Sequence, residues 1–226
     1  MSSLEACLFD LDGVIVDTAK YHFIAWRQIA GELGFSFTEA DNERLKGVSR
    51  LRSLDILLEI GGIALDSAAK AQLAEKKNAL YLQYVLAMHP GDALPGAAEF
   101  VWGCRMAGLK TALATASRNA RVIIDLLQIA SLFDAMVDGN KVKRTKPDPE
   151  VFLLCAQELG VEAKSCVVFE DAEAGIEAAC AAGMFSVGIG CPAILKRADM
   201  VVPGLAKLTV QSVLASFEPG RECATR

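Results

Sequence analysis

The order of strand-like and helix-like segments along the chain constrains its fold more than any other feature of the sequence. Residues 4–9 form a short apolar run that ends in Asp10, which is typical of a buried strand. Residues 19–88 then carry apolar side chains at helical spacing, and no strand-like run interrupts them. From Pro95 onward, strand-like and helix-like segments alternate. This alternation predicts βαβ units and a parallel sheet with helices on both faces.

The long helical stretch after the first strand predicts a two-domain organisation. The simplest arrangement is an α/β core domain, residues 1–17 and 92–226, with a helical cap domain, residues 18–91, inserted after the first strand. The chain crosses between the two domains near residues 14–18 and again near residues 90–94. These two crossings are the expected hinges.

Polar side chains stand where the predicted strands end. Asp10-Leu11-Asp12-Gly13 closes the first strand, and the spacing of two directs both carboxylates to the same side of an extended chain. Residues 114–117 follow the next strand, Glu170-Asp171 closes a later one, and Lys146 stands in a Lys-Pro-Asp-Pro turn before a helix. Because ligands of such sheets bind at the carboxyl ends of the strands, these segments predict one site.

The residue types in these segments indicate phosphoryl transfer. Crowded carboxylates repel one another, and a hard divalent cation such as Mg²⁺ relieves that repulsion. A carboxylate can attack phosphorus to form an aspartyl-phosphate, and a neighbouring carboxyl group can give and take the proton. Lys146 and a helix start predicted at Arg118 supply positive charge and backbone N–H groups for a phosphate.

Each segment alone has a plainer interpretation. An Asp-x-Asp pair is often a turn, Asp171 is a plausible helix N-cap, and the Lys-Pro-Asp-Pro segment is a common helix start. Their combined order, each at the end of a strand or in the loop beside it, favours the functional interpretation.

Phe9–Val14, Thr115–Ser117, Lys146-Pro147 and Glu170-Asp171 resemble the four motifs of the haloacid dehalogenase superfamily in order and separation. The resemblance implies a Rossmann-like core with an inserted helical cap. It implies Asp10 as nucleophile and Asp12 as general acid/base. It further implies Mg²⁺ held by the side chains of Asp10, Glu170 and Asp171 and by the backbone carbonyl of Asp12. The transferring phosphate would be held by Thr115, Ala116 and Lys146.

Within that superfamily, the cap resembles that of the sugar-phosphate mutases, in residues 18–26, residues 45–50 with Ser53, and Lys77-Asn78. These mutases convert β-D-glucose 1-phosphate to glucose 6-phosphate, with glucose 1,6-bisphosphate as intermediate or activator. The resemblance implies that the second, non-transferring phosphate is bound by Arg50, Ser117, Arg118 and Asn119. It implies substrate contacts from the cap side by Thr18, His22, Trp26, Gly47, Val48, Ser53 and Lys77.

Other functions remain open on the sequence. A sugar-phosphate phosphatase would use the same nucleophile and metal, and the access of water to the site would distinguish it from a mutase. A phosphonoacetaldehyde hydrolase needs a Schiff-base lysine in the cap and usually lacks the second aspartate, so Asp12 argues against it. A binding or regulatory protein on the same fold leaves the full set of carboxylates unexplained. In the cap, the plainer interpretations are a core residue for Trp26 and a solvated lysine for Lys77. They are a packing residue for His22 and a helix-cap or surface serine for Ser53.

Composition narrows the class of protein further. The 226 residues carry a formal net charge of −5, and no basic run suggests a nucleic-acid-binding face. No apolar stretch approaches the ~20 residues of a membrane span, and the first residues lack an export leader. We therefore expect a cytoplasmic protein with no nucleic-acid or membrane partner. We also expect a monomer, and the resemblance implies that its substrate is a small sugar phosphate. The seven cysteines show no Cys-x-x-Cys spacing and are expected to be reduced. Segment 134–144 and the tail after Pro219 match no motif.

Overall fold

The computed structural model describes residues 3–219, so the tail after Pro219 lies outside the described residues. Within this range six parallel strands form one sheet in the order β3-β2-β1-β4-β5-β6. The strands are β1 Ala6–Phe9, β2 Lys110–Ala114, β3 Ala135–Val137, β4 Cys166–Glu170, β5 Phe185–Ile189 and β6 Met200–Val202. The sheet confirms the predicted α/β, Rossmann-like fold class.

Helices connect the strands and cover the sheet. Four of them lie between the two chain crossings, residues 14–18 and 90–94: α1 Ala19–Glu32, α2 Glu39–Glu43, α3 Arg50–Gly61 and α4 Ser67–Val85. The others are α5 Ala97–Met106, α6 Ala120–Leu126, α7 Glu150–Leu159, α8 Glu173–Ala181 and α9 Val210–Ser216. Short 3-10 turns occur at Pro90–Asp92, Ala130–Leu132, Ala163–Ser165 and Leu205–Lys207.

The centre of the sheet is buried on both faces, as the continuous apolar runs require. On one face Phe9 stacks on Phe169 of the adjacent β4, with ring centroids 4.6 Å apart, and Phe100 of α5 meets both rings edge-on. On the other face Leu8 and Val168 pack with Phe152 of α7. The central strands β1 and β4 are therefore held rigidly, and so are the residues at their carboxyl ends.

Helices α1–α4 form a separate apolar cluster. Trp26 and Ile29 of α1 pack with Leu54 and Leu57 of α3 and with Ala74 of α4. The N-terminal ends of α2, α3 and α4 are capped by the side chains of Thr38, Ser49 and Asp66. Each side chain accepts a hydrogen bond from a backbone N–H of the first helical turn. The domain limits at residues 17/18 and 91/92 stay a prediction.

The two chain crossings lie side by side. The Leu94 N–H donates to the Ile15 carbonyl at 2.8 Å, and Val16 forms an isolated antiparallel bridge with Ala93. The expected hinges are thus joined by backbone hydrogen bonds rather than being two independent linkers.

Several local expectations need correction. Helix α6 begins at Ala120, not at Arg118, because residues 115–119 form a loop in which the Ser117 N–H donates to the Thr115 hydroxyl at 3.0 Å. Asp171 does not cap α8, whose N-cap is Ala172. Cys180 is disulfide-bonded, so the expectation that every thiol is reduced is wrong for that residue. Between residues 3 and 219, no helix is long and apolar enough to cross a membrane.

Candidate active site

The carboxyl ends of three neighbouring strands meet beneath one cavity of about 410 Å³. Asp10 follows β1, Thr115 follows β2, and Asp171 follows β4. All three line the cavity, because parallel strands end at the same edge of the sheet. Helices α1, α3 and α4 form the opposite wall, so the cavity lies between the sheet and these helices.

Lys146 is a buried cation directly behind the cavity lining, beside Asp10. Its ammonium nitrogen lies 2.5 Å from Asp10 Oδ1 and 2.7 Å from Glu170 Oε2, and it donates to the Ala114 carbonyl at 3.2 Å. Burial alone lowers the pKa of Lys146, but the charges of Asp10 and Glu170 outweigh it and raise that pKa above its ordinary value. A permanent positive charge therefore sits beside the predicted nucleophile.

Three acidic side chains converge next to Lys146. Asp10, Glu170 and Asp171 each place a carboxylate oxygen within 4.8 Å of the other two. Burial raises the pKa of Glu170 to about 7, and burial followed by the charges of Glu170 and Asp10 raises the pKa of Asp171 well above its ordinary value. The raised pKa values of Glu170 and Asp171 favour their protonated forms, and a bound cation would favour the charged forms instead.

Two glycines give this acidic cluster its space. A Cβ at Gly13, whose φ is +82°, would run into the Asp171 carboxylate, and a Cβ at Gly175 would run into that of Glu170. The crowding of hard oxygen ligands around a shared point fits a Mg²⁺ ion. The residues present therefore suit the metal that the resemblance implies.

Asp12 lines the cavity and lies two residues before the first chain crossing, residues 14–18. The Thr18 hydroxyl donates a hydrogen bond to Asp12 Oδ1. Burial and, next, the charge of Asp10 raise the pKa of Asp12 to about 7. A carboxyl group with this pKa can both release and accept a proton near neutral pH.

The opposite wall presents one buried lysine among aromatic rings. Lys77 Nζ lies 2.5 Å from His22 Nδ1, and it is 4.9 Å and 4.7 Å from the ring centroids of Trp26 and Tyr81. Burial and the charge of Arg50 lower the pKa of Lys77 to about 7. Burial and the charge of Lys77 lower the pKa of His22 well below its ordinary value, which favours a neutral imidazole. This wall combines hydrogen-bonding groups with flat apolar surfaces.

A second cationic region of the cavity lining is formed by Arg50 and Arg118. Arg50, the first residue of α3, pairs with Glu75 of α4 at 2.9 Å. Arg118 in the loop after β2 also lines the cavity, and its charge, after burial, helps to lower the pKa of Arg50. In the same loop, the Asn119 amide donates to the Asn78 side chain of α4 at 2.9 Å. The two walls of the cavity therefore touch near this second region.

The structure brings most of the predicted site residues to the cavity and places a few behind it. Thr18, Lys146 and Glu170 are buried behind the wall, in contact with Asp12 or Asp10 or with each other. The predicted residues that line the cavity are Asp10, Asp12, His22, Trp26, Gly47, Val48, Arg50, Ser53, Lys77, Thr115, Ala116, Ser117, Arg118, Asn119 and Asp171.

Sequence reasoning missed several lining residues. On α4, Ala71, Ala74 and Glu75 join Asn78 on one helix face at spacings of three and four, a signal the sequence did contain. Segment 134–144, which matches no motif, contributes Gly139, Val142 and Lys143, and Thr145 directly precedes the Lys146-Pro147 motif. Apart from its place before that motif, nothing in the residue types of this loop indicated that it lines the cavity.

Comparisons with known proteins agree with this geometry. Residues 4–183 match the family model of haloacid dehalogenase-like hydrolases. The chain is 41% identical over 220 residues to a β-phosphoglucomutase of Bacillus subtilis, covering 96% of this chain and 97% of the relative. A crystal structure of a β-phosphoglucomutase from Clostridium difficile superposes with a TM-score of 0.92 at 39% identity, covering 95% and 97% of the two chains.

Phosphatases occur among the relatives as well. A phosphorylated-carbohydrate phosphatase of Thermotoga maritima is 39% identical over 185 residues, covering 80% of this chain and 82% of the relative. The chain belongs to the haloacid dehalogenase-like hydrolase family and is an enzyme of that family. Within the family, it is similar to β-phosphoglucomutases over nearly its whole length.

Proposed function

We propose that the enzyme catalyses the β-phosphoglucomutase reaction, in which β-D-glucose 1-phosphate becomes glucose 6-phosphate through glucose 1,6-bisphosphate. The observation that carries the proposal is a cavity with two cationic regions. Lys146 contacts Asp10 from behind the cavity lining, and Arg50 and Arg118 line the cavity. A hexose bisphosphate carries one phosphate at each end of the sugar, so this arrangement suits it.

In one half of the reaction, Asp10 is the nucleophile. Its free carboxylate oxygen forms a bond to phosphorus while the bond from phosphorus to the sugar oxygen breaks. Asp12 gives its proton to that leaving oxygen, in accordance with a pKa near 7. Lys146 stays charged beside Asp10 and stabilises negative charge on the transferring group.

In the other half, the phosphoryl group returns to the sugar. Asp12 takes the proton from the attacking sugar hydroxyl, whose oxygen bonds to phosphorus as the bond to Asp10 breaks. Transfer from phosphorylated Asp10 to the 6-hydroxyl of glucose 1-phosphate gives the bisphosphate. Transfer of its 1-phosphate back to Asp10 then releases glucose 6-phosphate and restores the phosphorylated enzyme, so each cycle balances.

Mg²⁺ would be held by the Asp10, Glu170 and Asp171 side chains, together with the Asp12 backbone carbonyl. When bound, the ion neutralises carboxylate charge and stabilises charge on the phosphoryl oxygens. The proposed roles of Thr115, Ala116 and Ser117 are to bind phosphate oxygens from the loop after β2. Those of His22, Trp26, Gly47, Val48, Ser53 and Lys77 are to hold the sugar.

A sugar-phosphate phosphatase is the second candidate. The relatives include a fructose-1-phosphate phosphatase of Escherichia coli, 36% identical over 182 residues, covering 80% of this chain and 94% of the relative. The same Asp10 and Asp12 would serve, with water as the second acceptor. The difference between the two functions lies in how well the helical wall excludes water from the site.

Phosphorus NMR tests both functions in one sample. β-D-glucose 1-phosphate is incubated with the enzyme, Mg²⁺ and a trace of glucose 1,6-bisphosphate. Conversion to glucose 6-phosphate much faster than release of inorganic phosphate supports the mutase. Release of phosphate as the main product overturns the mutase in favour of the phosphatase, and a sample without Mg²⁺ tests the metal requirement.

A further inference from the structure

Glu75 of α4 is a carboxylate in the cavity lining with no use in the chemistry described so far. Four carboxylates line the cavity in the part of the chain that the structure describes. Three of them, Asp10, Asp12 and Asp171, belong to the proposed nucleophile, acid/base and metal ligands. Glu75 is the fourth. Because a carboxylate repels the phosphates of the proposed substrate, its presence in this lining requires an explanation.

The Glu75 carboxylate is held by Arg50, the proposed ligand of the second phosphate. Arg50 Nη1 donates a hydrogen bond to Glu75 Oε1 at 2.9 Å. Within residues 3–219, neither charged group makes another hydrogen bond or ion pair. The Arg50 guanidinium is therefore occupied by an internal anion through a single hydrogen bond.

The two partners differ in their freedom to move. The Arg50 side chain is 18% exposed, whereas the Glu75 side chain is 72% exposed. The arginine is thus largely enclosed by its neighbours, and the glutamate can swing into solvent. An exposed pair of this kind is weak, because water screens it and a long side chain loses freedom in forming it. A phosphate can accept two hydrogen bonds from one guanidinium, so we expect it to displace Glu75.

A second arginine makes the Glu75 charge matter for affinity. Burial lowers the pKa of Arg50, the charge of Glu75 opposes that effect, and the charge of Arg118 adds to it. Glu75 thus offsets part of the repulsion between two arginines that line the same cavity. Without the Glu75 charge, the two arginines would attract a phosphate dianion more strongly.

The proposed reaction requires that the second phosphate be released within each cycle. The bisphosphate forms with its 6-phosphate at Asp10, and it must turn end for end before its 1-phosphate reaches the same residue. During this turn, the phosphate bound by Arg50 must leave the guanidinium. A carboxylate that competes for Arg50 speeds that release, because it replaces the departing anion.

We propose that Glu75 is a specificity-determining residue that competes with the second phosphate for Arg50 and keeps the bisphosphate from binding too tightly to turn. A ligand with a single phosphate, bound at Asp10, meets no such competition. Glu75 therefore sets the affinity for bisphosphates without changing the affinity for simple phosphate esters. This inference rests on the proposed function, since it needs a second phosphate at Arg50.

Glu75→Gln tests the proposal, because it keeps the length of the side chain and removes its charge. In an Asp10→Asn background, which lacks the proposed nucleophile, calorimetry with Mg²⁺ gives the Kd of glucose 1,6-bisphosphate. We expect Glu75→Gln to lower that Kd about three- to tenfold, and the effect to shrink at high salt. Glu59→Gln is the matched control, an exposed glutamate that pairs with Arg52 outside the cavity lining. It should leave the Kd unchanged.

Turnover separates this role from a structural one. With Asp10 intact, Glu75→Gln should lower KM for glucose 1,6-bisphosphate and leave KM for a small aryl phosphate unchanged. An unchanged or higher Kd in Glu75→Gln would overturn the inference, because Glu75 would then serve only to orient Arg50. A gain in affinity of the same size in an Arg50→Ala background would also overturn it.

Failure of the proposed function gives a different result. If the wild-type enzyme does not isomerise the sugar phosphate in the phosphorus NMR experiment, the proposed function fails, and this inference fails with it. If isomerisation is normal but Glu75→Gln does not bind the bisphosphate more tightly, the inference alone fails.

Discussion

At the scale of single residues, the proposed chemistry depends first on Asp10. Asp10→Asn keeps the shape of the side chain but removes the nucleophilic oxygen, so isomerisation should fall by about 10³-fold or more. Rates are measured by phosphorus NMR, with thermal unfolding to show that the variant folds. Asp125→Asn, on the exposed face of α6, is the matched control and should retain full activity. Full turnover by Asp10→Asn would remove Asp10 from the mechanism.

Lys77 gives a prediction about stability and pH. Its pKa is lowered to about 7 in the folded protein, first by burial, whereas an unfolded lysine titrates near 10.5. Between these values, the unfolded chain binds more protons than the folded one. The penalty for burying the charged lysine is therefore full below pH 7 and disappears as the pH rises toward 10.5.

Lys77→Met removes this titration and provides the test. The free energy of unfolding of the variant minus that of the wild type should be larger at pH 7 than at pH 10, by at least about 2 kcal/mol. Denaturant titrations at both pH values measure the difference, and Lys76→Met, an exposed neighbour, is the control. If the free energy of unfolding of the variant minus that of the wild type is the same at both pH values, burial does not lower the pKa of Lys77.

The same residue shows where sequence reasoning reaches its limit. A lysine on a polar helix face is compatible with solvent, and only the packing of α4 against α1 buries Lys77 against His22 and Trp26. In contrast, Asp10, Asp12 and Glu170 could be placed together from the sequence. They directly follow or end apolar strands, and parallel strands bring such positions to one edge.

At the scale of elements, α3 and α4 form the end of the cavity that we assign to the second phosphate. Arg50→Ala should raise KM for glucose 1,6-bisphosphate roughly 10- to 100-fold through loss of a charge-assisted hydrogen bond. Turnover of a small aryl phosphate, which has no second phosphate, should change little. Arg52→Ala removes an exposed arginine from the same helix, paired with Glu59, and should affect neither substrate. Equal losses for both substrates would contradict the assignment.

Most of the elements were predictable, because most strands are apolar runs and most helices carry an apolar repeat. Helix α2, with the sequence Glu-Ala-Asp-Asn-Glu, has no such repeat, and α9 was not predicted. The loops were not predictable. Residues 115–119 were expected to enter a helix two residues earlier, but local hydrogen bonds of Thr115 and Ser117 delay it. The loop after β3 reaches the cavity through tertiary packing, and no residue pattern in it carries that information.

At the scale of the whole molecule, the decisive property is how tightly the helical wall closes over the sheet. A phosphorylated Asp10 must wait for a sugar hydroxyl while water is kept away. The hydrogen bond between Asn119 and Asn78 joins the loop after β2 to α4 at the edge of the cavity. It connects the two walls without belonging to either hinge, so we expect it to help hold the helical wall against the loop after β2.

Loss of this hydrogen bond should therefore change how often the phosphoryl group is transferred to water rather than to a sugar hydroxyl. Asn78→Ala is expected to raise the ratio of phosphate release to isomerisation roughly 2- to 10-fold, the range that one net hydrogen bond provides. Phosphorus NMR gives both rates from one sample. Gln83→Ala, at an exposed position on the same helix, should leave the ratio at the wild-type value. If Asn78→Ala slows both rates equally, the contact serves substrate binding, and closure over the sheet is controlled at the hinges instead.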